Sequence, residues 1–143
     1  MIGQIIDKSS GGSYSVQSYL SQCFPTSEFR EYAFAKDAIQ EAAKLHPHLV
    51  IIRDYPNGCM RAFEVAHEFS RRGIPKPYFV ALRDPFFQAQ RSPEQQAVIY
   101  WEFGINAWRY TPLHHSDLRH WGSEGLALEE KRNRMQSQKG GAE

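Results

Sequence analysis

The sequence predicts an α/β domain: five parallel strands in one doubly wound sheet, sandwiched between two layers of helices in a three-layer (βα)5 arrangement. Three observations predict it. Apolar periodicity switches between strand-like and helix-like again and again, always in the same order. Two strand-like runs, residues 49–52 and 78–82, are almost continuously apolar, as strands covered on both faces are. Gly, Pro or a polar turn marks most of the switches. Such alternation implies right-handed crossovers and helices on both faces of a parallel sheet.

Residues 1–6 form a short apolar run that ends at Asp7-Lys8, consistent with a buried first strand. The stretch 9–13 (Ser-Ser-Gly-Gly-Ser) is loop-forming and offers N-cap residues. Val16, Tyr19, Leu20, Cys23 and Phe24 then recur at helical spacing up to Pro25. Residues 29–34 alternate as a second strand. Residues 36–45 are good helix formers, with Ala38, Ile39, Ala42 and Ala43 on one face. The third strand, 49–52, ends at Arg53-Asp54 and a turn containing Pro56, Asn57 and Gly58. A third helix spans 61–72, with Ala62, Val65, Ala66 and Phe69 as its stripe and Gly73 as its stop. The fourth strand, 78–82, closes at Arg83-Asp84. Pro93 opens a fourth helix running to about residue 103. Residues 107–111 form the fifth strand before Pro112, and 113–121 the last helix. Beyond Gly122 the chain turns polar, so 1–122 reads as the domain and 123–143 as a polar, frayed helical extension or linker stub.

With 143 residues, 41% of them hydrophobic, the chain is one ordinary domain with enough apolar surface to bury a core. A formal charge of +1 gives no whole-chain reason to expect nucleic acid or an acidic membrane as partner. The basic residues Arg71, Arg72, Lys76, Arg83, Arg91, Arg109, Arg119, Arg132 and Arg134 are dispersed. No apolar run approaches the roughly 18 residues of a membrane helix, so a soluble, cytoplasmic protein is expected. Cys23 and Cys59 lack any metal-ligand spacing and read as small hydrophobes, with a disulfide as the alternative.

The order of turn signals resembles the receiver domain of bacterial two-component response regulators, the CheY-like, flavodoxin-like (βα)5 fold. The run from Pro47 to Asp54 is similar to the family's third strand, which ends in the phosphoaccepting aspartate. Pro56-Asn57-Gly58 resembles the turn that follows it. Gly73-Ile74-Pro75 resembles the entry to the fourth strand, and the segment from Gly104 to Leu113 resembles the Gly-Ala-x-x-Tyr stretch followed by Lys-Pro-Phe. The resemblance implies a phosphorylation pocket at the strand ends: an acidic pair for Mg²⁺, an acceptor aspartate, a hydroxyl and a lysine.

At those positions the chain departs from the pattern. The acidic pair is Asp7-Lys8, the acceptor position falls on Arg53 with Asp54 one residue late, the hydroxyl position falls on Ala81 or Leu82, and the lysine position on Thr111. A one-residue slip in a strand turns a side chain to the other face. The expectation is therefore a pseudo-receiver, not an enzyme, that signals by protein contact and needs no cofactor. The alternative is a phosphate-accepting receiver with a shifted site: Asp54 as acceptor and Asp7, Asp54 and Asp84 gathered around Mg²⁺. A flavodoxin-like ligand binder using the 9–13 loop is a further alternative.

The six histidines show no ligand spacing with Cys or Glu and read as surface residues, so no metal site is expected. The fourth helix and fifth strand are unusually aromatic. Tyr100, Trp101, Trp108 and Tyr110 are the expected interaction surface, docking a protein partner or a second copy of the chain; Phe86 and Phe87 could extend it. No direct contact with nucleic acid or membrane is expected.

Overall fold

The computed structural model describes residues 1–7, 12–54, 61–83, 93–111 and 113–141. Its elements alternate strictly: β1 (Ile2–Ile6), α1 (Gly12–Cys23), β2 (Glu28–Tyr32), α2 (Ala35–Leu45), β3 (Leu49–Arg53), α3 (Ala62–Arg71), β4 (Tyr78–Arg83), α4 (Pro93–Glu102), β5 (Ala107–Tyr110) and α5 (His115–Gly141). The strands form one sheet in the order β2-β1-β3-β4-β5, every pair parallel. The central strands are the continuously apolar ones, and β2 and β5, with mixed burial, are the edges.

Side-chain parity divides the core in two. Ile6, Val50, Ile52, Phe79 and Ala81 pack beneath α2, α3 and α4, with Ala38, Val65, Phe69 and Tyr100. Ile5, Leu49, Ile51, Val80 and Leu82 face α1 and α5, with Val16, Leu20, Leu118 and Trp121. Each face of the sheet is thus a separate apolar layer, which is why the central strands show no polar alternation.

The last helix differs from the sequence expectation. It does not stop near residue 121 but runs 27 residues without a break. Gly122, just past the expected end, lies mid-helix, where a Cβ would collide with the Phe24 ring. Gly125, one turn on, meets Met1 and Leu49 in the same way. The missing side chains let the helix approach closely and do not end it. Beyond them Leu126 packs on the core, and Glu129 pairs with the Met1 ammonium at 2.8 Å. The Arg132 guanidinium donates to four carbonyls, those of His46 (2.8 Å), Pro47 (3.2 Å), Pro75 (3.3 Å) and Lys76 (2.9 Å). The first part of the polar extension is therefore bound to the edge where β3 and β4 begin, while residues 133–138 are exposed. No described helix is long and apolar enough to cross a membrane.

Candidate functional site

At the carboxyl ends of the strands, parity decides which charges meet. Asp7 follows β1 and Arg53 ends β3, both in phase with residues that face α1 and α5. The Arg53 Nε donates to Asp7 Oδ2 at 3.0 Å, and the Asp7 side chain is 2% exposed. A guanidinium thus stands at the position the resemblance gives to the acceptor, and it is paired with the carboxylate that the resemblance gives to the metal.

Asp54, one residue later, turns the other way. Its carboxylate is buried between α3 and α4. Arg61 donates to Oδ1 at 2.7 Å and to Oδ2 at 3.3 Å. The Ala62 amide, first in α3, donates to Oδ1 at 3.1 Å, and the Tyr100 hydroxyl donates to Oδ2. Asp54 therefore caps α3 from across the intervening loop, satisfying an amide that the helix itself leaves free. The local capping residue, Arg61, makes no side-chain cap of its own. Burial opposes ionisation of Asp54, but the Arg61 guanidinium, the Tyr100 hydroxyl and the Ala62 amide outweigh it and hold the carboxyl below its ordinary value. Burial, and then the Asp54 charge, push the Tyr100 phenol far above its ordinary range.

The remaining pocket positions follow suit. Ala81 and Leu82 are buried, one on each face of the sheet. The Thr111 hydroxyl donates to the Arg83 carbonyl at 3.4 Å, beside the Thr111 amide bond to the same oxygen at 2.9 Å. Lys8, Asp84 and Pro112 lie outside the described residues, as do Ser9, Ser10 and Gly11 of the loop considered for a flavin phosphate, Cys59, and Phe86 with Phe87. Cys23 is a free, half-buried thiol. No group of His, Cys, Asp and Glu among the described residues could hold a metal ion.

The expected aromatic surface needs a correction. Tyr100 is 1% exposed and belongs to the core and to the Asp54 network. The apolar residues of the fourth helix run consecutively from Ala97 to Trp101, so sequence could not say which aromatic faces in. Tyr100 faces in because a buried phenol must find a polar partner, and Asp54 provides it. Trp108 is partly buried, its ring 6.0 Å from Tyr100 and 5.6 Å from Tyr110. What remains at the surface is Trp101 (83% exposed) and Val98 on α4, with Phe103 just beyond it, and Tyr110 on β5. Arg61, which sequence reasoning assigned only to a helix start, is the residue it missed. A charged residue at a helix N-cap, where Ser or Asp is the usual occupant, was the available signal.

No protein-family model and no curated protein matches the sequence. Solved structures do. The N-terminal domain of an uncharacterized protein from Wolinella succinogenes superposes with TM-score 0.73 at 14% identity, covering 92% of this chain and 98% of that one. A CheY-like response regulator receiver domain protein from Methanospirillum hungatei gives 0.67 at 14%, covering 92% and 97%. A response regulator receiver protein from Pseudoalteromonas atlantica gives 0.70 at 13%, covering 89% and 98%. The chain has the CheY-like receiver fold.

Proposed function

We propose that the chain is a receiver-fold signalling module that works by protein contact and without aspartyl phosphorylation. One observation carries this reading: the acceptor position is Arg53, locked onto Asp7, while the neighbouring aspartate is occupied by three donors on the opposite face. Phosphoryl transfer depends on positioning and on charge compensation at the transferred group. Arg53 and Arg61 are already engaged by carboxylates. Attack by Asp54 would require a buried oxygen to give up the bonds that cap α3.

The contact surface that fits this reading is formed by Val98, Trp101 and Tyr110, large apolar side chains left exposed on α4 and β5. A protein partner or a second copy of the chain is the matching occupant, since aromatic anchors dominate such interfaces. Two measurements test the proposal. Intact mass after incubation with acetyl phosphate and Mg²⁺ is expected to be unchanged; a phosphoryl adduct lost in Asp54→Asn would establish the shifted-site reading instead. Sedimentation velocity is expected to show self-association, or association with a co-purified partner, that Trp101→Ala combined with Tyr110→Ala abolishes. Association unaltered by both changes would rule out this surface.

A further inference from the structure

Two buried hydrogen-bond donors on the α4 side of the sheet have no acceptor among the described residues: Nη1 of Arg83 and Nε2 of Gln96. Arg83 is 6% exposed and Gln96 2%. They come from two elements, β4 and α4, that lie on the same side of the sheet. Arg83 ends β4, in phase with Phe79 and Ala81, and therefore faces α4. Gln96 precedes Tyr100 by four residues on α4, so the two share the buried, sheet-facing side of that helix. Parallel connectivity puts the first turns of α4 towards the carboxyl ends of the strands, the end at which β4 places Arg83. The Arg83 guanidinium carbon lies 5.9 Å from the centre of the Tyr110 ring.

Native interiors rarely leave such groups unpaired, and each orphan is a reason to look for what pairs it. Here both orphans are donors, and one carries a full charge. The two other arginines at the strand ends, Arg53 and Arg61, are each matched by an aspartate. Arg83 forms no ion pair among the described residues. A water molecule would accept from these donors but leave the guanidinium charge uncompensated in a buried setting, a costly arrangement. A group that offers only acceptors and a negative charge satisfies both conditions, and a guanidinium fork suits it geometrically.

We propose that the buried donors Arg83, at the end of β4, and Gln96, in the first turns of α4, together bind a small oxyanion, phosphate or carboxylate in class, noncovalently. The site is separate from the positions that the receiver resemblance assigns to phosphorylation, and it does not depend on the contact surface proposed above. A ligand there would touch the helix that carries Trp101, and so would bias the face that meets a partner.

The test is thermal unfolding of the full chain titrated with sodium phosphate, sodium acetate or sodium chloride at matched ionic strength. A saturable rise in the unfolding temperature with phosphate or acetate, absent with chloride, is expected, because a ligand that binds only the folded state stabilises it. Phosphate alone saturating assigns a phosphoryl-type ligand; acetate alone assigns a carboxylate. Arg83→Met should weaken the apparent affinity at least about tenfold, as loss of a charge-assisted bond does, and Gln96→Leu by a smaller factor of roughly three to ten. If Arg83→Met does not fold, Arg83→Lys serves, keeping the charge but not the fork, and a reduced affinity supports the site. Equal responses to all three anions, or unchanged affinity in both Arg83→Lys and Gln96→Leu, would overturn it. So would a saturable response that appears only in Asp84→Asn, since the chain's own carboxylate would then be the occupant.

Discussion

Replacing Asp54 with Ala leaves three donors without their acceptor. Arg61 loses two bonds, the Ala62 amide loses its cap, and the buried Tyr100 hydroxyl loses its acceptor. Breaking a buried ion pair from one side costs about 3–5 kcal/mol. Arg61 is only half-buried and can turn towards water, which points to the lower end of that range. For a chain of this length each kcal/mol moves the unfolding temperature by roughly 3–4 °C, so a drop on the order of 10 °C is expected. Asp54→Asn keeps an oxygen for the Ala62 amide and turns an amide N–H towards the phenol oxygen, which can accept it, and should lose about half as much, as expected when charge-assisted bonds become neutral ones. The pH dependence gives a second reading of the same network. The folded carboxyl is held below its ordinary value, so the unfolded chain takes up this proton first as the solution is acidified. The stabilisation is complete above about pH 5, fades as pH falls through the unfolded value near 4, and is lost below the folded value. Urea unfolding of the wild type and Asp54→Asn between pH 7 and pH 3 checks this. Equal stability at pH 7 together with an identical acid slope would refute the proposed network.

Other perturbations probe different parts of the fold. Gly122→Ala gains helix propensity but forces a Cβ into the Phe24 ring; a net loss of about 1–3 kcal/mol is expected in urea unfolding. Arg132→Met removes four donations to carbonyls. Amide hydrogen exchange should then quicken in α5 beyond Leu126 while β3 and β4 stay protected. His48 accepts the Ile2 amide through Nδ1 at 3.0 Å, and burial, then the Arg132 charge, lower its pKa. Its contribution is therefore present above the unfolded value of about 6.5 and is lost as pH falls through the folded value, and His48→Gln should flatten the urea midpoint over that window. Trp101→Ala should change stability by no more than about 0.5 kcal/mol, because the ring is already in solvent.

Local pattern carried most of the architecture. The apolar runs at β3 and β4 identify buried central strands because both faces of the sheet are covered. Helices α2 and α3 show a clean stripe because each packs on one face only. Pattern failed where two meanings share one residue. Gly122 is equally a helix stop and a close-contact residue, and only the position of Phe24 decides between them. On α4, Tyr100 and Trp101 are adjacent and similar in hydropathy, yet one is buried and the other exposed. The difference comes from Asp54, 46 residues away in sequence. The one-residue offset between Arg53 and Asp54 was legible, but its consequence was not. Strand parity sends the two side chains to opposite faces, where Asp7 and Arg61 wait as counter-ions.

The Arg132 clamp gives α5 a mechanical property. One guanidinium ties the helix to the two segments that lead into β3 and β4. From Arg132 to Gly141 the helix continues for roughly 14 Å at its usual rise. A stiff rod fixed at such a point behaves as a lever with its fulcrum at the sheet edge. Torque applied to the free arm would bear on the roots of the two central strands through that one guanidinium.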